Sequence, residues 1–435
     1  MNRLLMLALL LLSLLNIHGH SYRLAWIYGT DEICSVAITS HGDYIAAGSI
    51  SSIYFFNRDG ELLWKDKTGN AVESVVVSPD GEYIATGSIY GDVYLFNREG
   101  KLLWGRKTYG KVLSLSITPD GRYVVTGCED KNVYLFNMEG ELLWKYKTEG
   151  EVESVAITSD GKYIAAGSRD NNVYLLNRKG NLLWKYWTGG EVWSMAISSD
   201  GAYIAAGSKF HLYFLNRSGK ALWKYWTGSA VKSVAMTPGY IAVGSENCNV
   251  YLFNREGKRL WRYWLNSPVD SVDISLDGEY TVARTLEDKV YLFNKEGKLL
   301  WEYGSEEGAK SVAISDDGKY IVIGTLYSIH LIILSEETST SKVKEAENSQ
   351  KIPDNNIEKV EPPTSQVERT STEENYFNVE EVTLDILHIY QNGVPDKKDF
   401  TSYYYVYIPG ILIFLTLLYL GKRYYNYRKK LKEER

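Results

Sequence analysis

The chain has 435 residues, 45% of them apolar, with 48 basic and 54 acidic side chains and a formal net charge of −6. Residues 1–335 hold 34 basic and 37 acidic side chains, a near balance that excludes the basic footprint of a nucleic-acid binder. Cys34, Cys128 and Cys248 are an odd, scattered set without CxxC spacing, so zinc and thioredoxin-type chemistry are unsupported and three separate structural thiols are expected.

Residues 1–20 read as an export signal. Asn2-Arg3 give a positive start, Leu4–Leu15 an apolar run short for a membrane span, and Ile17-His18-Gly19 a weak cleavage site. Retained uncleaved, the same segment is an anchor, and in both cases the following domain is exported.

Between residues 33 and 334 one pattern recurs eight times, with tryptophans at 26, 64, 104, 144, 184, 223, 261 and 301. A fixed step of this length means one supersecondary unit stacked on copies of itself. Each unit holds four short runs of strand type, exemplified by Ser154–Ile157, Tyr163–Ala166, Val173–Leu176 and Leu182–Trp184. Asp160-Gly161 and Asn177-Arg178-Lys179-Gly180 are turns, and no stretch keeps helical periodicity. The unit is one propeller blade, and the expected fold is all-β, an eight-bladed β-propeller over residues 21–335. The last copy ends at Leu334 without an outer Leu-Leu-Trp strand, whereas Leu24-Ala25-Trp26 is such a strand with no blade in front of it. The N-terminal strand is therefore expected to complete the eighth blade and close the ring.

Residues 336–375 are rich in Ser, Thr, Glu, Lys and Pro and read as a disordered stalk. Residues 376–402 form a juxtamembrane segment, and residues 336–400 together hold 7 basic and 15 acidic side chains. Tyr403–Gly421 is a 19-residue run without a charge, with tyrosines at both ends, and is expected to be a transmembrane helix. Residues 422–435 carry 7 basic and 2 acidic side chains, which places this tail in the cytoplasm and the propeller outside by the positive-inside rule.

Ser78–Ser88, SPDGEYIATGS, resembles the first half of a WD40 repeat, and Val93–Trp104, VYLFNREGKLLW, resembles the second half of a PQQ-like, quinoprotein-type repeat. In the latter family a Gly-x-x-x-Trp element docks neighbouring blades. The resemblance assigns that role to Gly60/Trp64, Gly100/Trp104, Gly140/Trp144, Gly180/Trp184, Gly219/Trp223, Gly257/Trp261 and Gly297/Trp301. The Gly-His and third-strand Trp-Asp pairs of WD40 repeats are absent, as is the vicinal Cys-Cys pair of PQQ-dependent dehydrogenases. The resemblance therefore implies a propeller without either family's activity. No HExxH, GxSxG or P-loop spacing occurs. No catalytic residue, metal ligand or cofactor is assigned. Asn216-Arg217-Ser218 is a glycosylation sequon on a turn, or a chance match.

Specificity in such a chain belongs to positions that break the repeat. The slot before the invariant first-strand Ser varies freely: Cys34, Glu73, Leu113, Glu153, Trp193, Lys232, Asp270 and Lys310. It lies where the chain passes into the innermost strand, at the mouth of the central channel. The loops between second and third strands open on the same face and are equally irregular. Three residues after the repeat Trp, blades 1 to 3 carry Lys67, Lys107 and Lys147, whereas blades 4 to 6 carry Trp187, Trp226 and Trp264. The candidate ligand-binding residues are Glu73, Glu153, Trp187, Trp193, Trp226, Lys232, Trp264 and Asp270. The expected protein is a single-pass cell-membrane protein that binds a protein or glycan of the cell surface without enzymatic activity. An envelope assembly scaffold and a quinoprotein-like or hydrolytic enzyme are the alternatives.

Overall fold

The computed structural model describes residues 20–304 and 307–336, whose regular structure is entirely β. The expected leader (all but His20), stalk, juxtamembrane segment, membrane span and basic tail lie outside the described residues. No helix among the described residues is long and apolar enough to cross a membrane.

Eight four-stranded antiparallel sheets form the domain. Blade 1 consists of Ile33–Ile38, Tyr44–Ser49, Ser52–Asn57 and Leu62–Lys67, in that order from the axis outward. Blades 2 to 7 repeat this meander. Blade 8 consists of Ala309–Ile314, Tyr320–Thr325, Ser328–Glu336 and, outermost, the N-terminal strand His20–Gly29. His20–Gly29 pairs antiparallel with Ser328–Glu336, from His20 opposite Glu336 to Gly29 opposite Ser328, with a register shift at Ala25. The innermost strands neighbour one another in chain order, and the eighth neighbours the first, so the ring is closed.

The amino-acid pattern follows from this stacking. Second strands such as Tyr44–Ser49 are buried along almost their whole length because both sheet faces meet a blade. The Gly in that strand is required by the fit: a Cβ on Gly48 would lie 2.4 Å from Val72 of the next blade. Fourth strands such as Leu182–Trp187 alternate between half-buried and exposed residues, one side docked and the other open. They run to Trp187, three residues beyond the Leu182–Trp184 run legible in the sequence, because Asn172 of the third strand pairs with Trp187.

An outer tryptophan locks a blade to its successor at seven of the eight seams, and at the seam of blades 7 and 8 Trp301 instead stacks on Tyr22 of the N-terminal strand. Trp64 of blade 1 lies against Gly100 of blade 2, where an added Cβ would stand 2.6 Å from the indole, and its N–H donates to the Arg98 carbonyl at 2.8 Å. The Gly and Trp of one Gly-x-x-x-Trp element thus serve two different interfaces. Trp26 of the N-terminal strand makes the same contact with Gly60 and the Arg58 carbonyl of blade 1, so the closing strand carries its own latch.

Removing residues 20–29 deletes a strand, exposes Ser328–Glu336 and opens the latch to blade 1. The melting temperature of the propeller should fall by roughly 10 °C or more, the scale of several lost kcal/mol in a domain of this size. Differential scanning calorimetry checks this, and an unchanged transition would contradict closure by this strand.

Candidate functional site

The two faces of the ring are built differently. One carries the turns between first and second strands and between third and fourth strands. On this face the turn cations lie over tyrosines of the preceding blade, as Arg98 over Tyr44 and Arg217 over Tyr163, both at 4.9 Å. The turn carbonyls beside them accept the latch N–H groups of Trp26, Trp64, Trp144, Trp184, Trp223 and Trp261. Trp104 is the exception: Arg106 donates to the Gly140 carbonyl, and the buried indole N–H finds no partner among the described residues. Recurring positions on this face hold blades together.

The opposite face carries the second-to-third loops and the passages between blades. In every blade the register shifts across the variable slot, as between Val72 and Ser74. The slot is thus the extra residue of a β-bulge, a device that re-aims a side chain out of the ladder. Its freedom to vary follows, since it pairs with nothing. The next residue, the repeat Ser, is fixed by a job: its Oγ accepts a backbone N–H of the next blade, as Ser154 does from Met195 at 3.0 Å and Ser194 from Val234 at 3.0 Å.

Several slot residues are engaged within the chain. Glu73 pairs with Lys111 at 2.7 Å. Arg169 joins Glu153 and Glu151 and lies over the Trp193 ring at 4.9 Å, and Lys232 lies over that ring at 3.7 Å. Glu153, Trp193 and Lys232 are therefore brought together, with Arg169, an irregular-loop residue, at their centre. Trp193 is half-buried and its ring N–H has no hydrogen-bond partner among the described residues. Asp270 is held apart from them in a salt bridge with Arg284. Cys34 is half-buried near Glu73, and burial pushes its thiol up to about 11. All three cysteines are free thiols.

Trp187, Trp226 and Trp264 occupy the last positions of three successive fourth strands and are 69%, 68% and 63% exposed. They are surface side chains, and no ring contact joins them to one another or to Trp193 among the described residues. The other exposed aromatics, Tyr90, Tyr109, Phe210 and Tyr327, lie in loops of this same face. Every exposed Phe, Tyr and Trp side chain of the described residues thus sits on one face of the ring.

Four departures from the repeat escape a reading of single motifs. At Arg284 a blade carries arginine where the others carry the tightly fitted second-strand Gly, and at Ala309 the next blade carries alanine where the others carry Val or Ile. The two changes are complementary: the shorter side chain makes room for a buried guanidinium, which donates to the Ala309 carbonyl at 2.8 Å and pairs with Asp270. Asp273 replaces a small or apolar residue of the innermost strand and accepts the Ile314 N–H of blade 8 at 3.0 Å, bridging blades 7 and 8. Burial pushes its carboxyl up to about 6. His330 stands where seven blades carry a third-strand Tyr. It is buried between Tyr303 and Ser328, and burial holds its imidazole down at about 4. Each departure was visible by aligning the eight copies at every position rather than at the slot alone. Among the described residues, no three His, Cys, Asp or Glu side chains converge as a metal site.

Comparisons with known proteins agree with this architecture. Residues 49–202 match the family model of the outer membrane protein assembly factor BamB, and residues 206–331 match a family of unknown function, DUF5711. No curated protein matches the chain. The C-terminal WD40 domain of Sif2 is similar in structure, with a TM-score of 0.65 at 15% identity over 72% of this chain and 98% of that one. Sqt1 of Chaetomium thermophilum bound to the N-terminus of the ribosomal protein L10 gives 0.61 at 16% identity, over 70% and 97%. The computationally designed Ika8 protein gives 0.62 at 15%, over 70% and 96%. The domain is an eight-bladed propeller whose residues 49–202 match a PQQ-like, BamB-type model and which has a WD40 propeller among its structural neighbours.

Asp273 gives a pH signature. Its carboxyl ionises at about 6 in the folded protein and near 3.8 when unfolded, so the unfolded chain loses its proton first. Stability therefore falls as pH rises from about 4 to about 6, by at most about 3 kcal/mol, and is then level. Asp273→Ser restores a side chain that blade 3 uses at this position, Ser116, which bridges to the Ile157 N–H at 3.4 Å. The stability of the Ser variant relative to wild type should climb between pH 4 and 6 and plateau above 7. His330 contributes equally to both proteins and cancels. A difference curve flat with pH, measured by urea titration, would show that Asp273 carries no such shift.

Proposed function

We propose that the protein is a non-enzymatic binding module, displayed outside the cell membrane, that holds a protein or glycan of the cell surface on its aromatic face. One observation carries this reading: the exposed Phe, Tyr and Trp side chains of the described residues all lie on the face that does not latch the blades. Exposed aromatics grouped on one face mark interaction sites, because their large apolar area gains most when covered. Both ends of the described chain, His20 and Glu336, leave from the opposite face.

Envelope assembly is a second reading, favoured by the match of residues 49–202 to the model of an assembly factor. Both readings use the propeller as a holder, and they differ in what is held.

Trp187→Lys, Trp226→Lys and Trp264→Lys install the residue that blades 1 to 3 carry at the same position. The triple variant should melt close to wild type and lose capture of its native membrane partner, with each Trp worth about 2 kcal/mol if it lies at an interface centre. Unfolding of the variant would instead make these side chains part of the core. Topology has its own check: protease added to wall-permeable intact cells should degrade the propeller and leave a small membrane fragment. A protected propeller would place it inside.

A further inference from the structure

The exposed side of a fourth strand carries residues two apart in sequence, about 7 Å along the strand. In blades 4, 5 and 6 these are Lys185 and Trp187, Lys224 and Trp226, and Arg262 and Trp264. All six side chains are exposed. The three cations have no salt-bridge or hydrogen-bond partner among the described residues. Their charged counterparts elsewhere are engaged, blade 2 carrying Gly105: Lys65 donates to the Tyr54 hydroxyl at 2.7 Å, Lys145 lies over the Tyr109 ring at 5.3 Å, and Glu302 pairs with Lys289 at 2.7 Å. The third-strand residues opposite the three tryptophans are Asn172, His211 and Asn249, so no carboxylate lies there to neutralise the stripe. Two of the indoles rest on a turn glycine. An added Cβ would stand 3.5 Å from the Trp187 ring at Gly189 and 3.4 Å from the Trp226 ring at Gly228. Each of those rings is backed on one side by its turn and remains about two-thirds exposed.

We infer that blades 4 to 6 form a threefold repeated strip that binds an acidic linear polysaccharide, each blade supplying one indole platform and one unpaired cation. This rests on the aromatic face being the binding face. The ligand class follows from the chemistry. A sugar ring presents an apolar C–H face that stacks on an open indole, and its acidic substituent answers the adjacent Lys or Arg. Three like sites on consecutive blades suit a ligand that itself repeats, since each further contact is made at high effective concentration. A folded protein partner has no reason to offer the same pair of groups three times.

The test measures binding of the propeller to polygalacturonate and dextran sulfate at physiological salt, with neutral dextran and poly-glutamate as controls. Expected is binding to an acidic polysaccharide that strengthens with chain length, is weak for neutral dextran and poly-glutamate, and falls by roughly tenfold for each Trp→Ala. The triple Trp→Lys variant adds three positive charges, so a purely electrostatic ligand would bind it more tightly, whereas stacking requires weaker binding. Tighter binding by that variant overturns the inference. So does the failure of both acidic polysaccharides, or equal, Trp-dependent binding of poly-glutamate, which would make the ligand an acidic peptide. If the triple variant loses its native partner while neither polysaccharide binds wild type, the strip inference falls and the binding-face reading stands. Melting curves of every variant confirm that the fold is intact.

Discussion

The ring depends on one contact, repeated: an outer-strand indole laid against a turn glycine of the next blade. Trp64 on Gly100 shows its parts, an apolar ring covered by backbone and an N–H satisfied by a carbonyl. A single such hydrogen bond contributes about 1 kcal/mol net, and covering the ring adds the larger hydrophobic share. The contact is directional, because a blade offers its Trp to the following blade and its Gly to the preceding one, at seven of the eight seams. A directional contact leaves an unmatched Trp or Gly wherever a ring stays open. Trp26 gives Gly60 its Trp by entering blade 8 from the N-terminus, and Tyr22 of the same strand covers Trp301, which meets no turn glycine.

This contact also divides the faces. Six of the seven turns that receive a latch keep the glycine, the accepting carbonyl and the cation over the neighbouring tyrosine, and the seventh, with Met138, keeps the glycine alone. The other face answers to no such demand, and the β-bulge at its inner edge leaves one residue per blade outside the ladder. Variation collects there for a backbone reason, and it is used in more than one way. Glu153, Trp193 and Lys232 knit neighbouring blades around Arg169. Asp270 and Arg284 fill the seam between blades 7 and 8. Trp187, Trp226 and Trp264 remain uncovered. A residue that breaks the repeat is thus a candidate for binding only after its intramolecular partners have been counted.

The blade count and the closing strand were legible because both rest on counting: eight inner runs, and one spare Leu-Ala-Trp strand before the first. The partner of each latch was not, because the Gly and Trp adjacent in sequence belong to different interfaces. Exposure of Trp187 followed from the Lys at the same position in other blades. Half-burial of Trp193 did not, since the cations covering its ring come from Arg169 and Lys232 on separate blades. The Arg284–Ala309 exchange shows the same limit. Either change alone reads as noise, and only the fit of Gly48 against Val72 explains why they come together.

The account rests on the latch, and two glycines with matched backbones test it. Gly100 and Gly69 have φ of +81° and +72°, so alanine at either site meets the same left-handed strain, about 1 kcal/mol. A Cβ on Gly100 meets the Trp64 ring at 2.6 Å, whereas nothing lies within 4 Å of a Cβ on Gly69. The measurement is the difference in unfolding free energy between Gly100→Ala and Gly69→Ala. The account predicts that the Gly100 variant is less stable by a further 1–3 kcal/mol or so, the usual range for forcing an extra carbon into a packed contact. Equal losses at the two sites would contradict it.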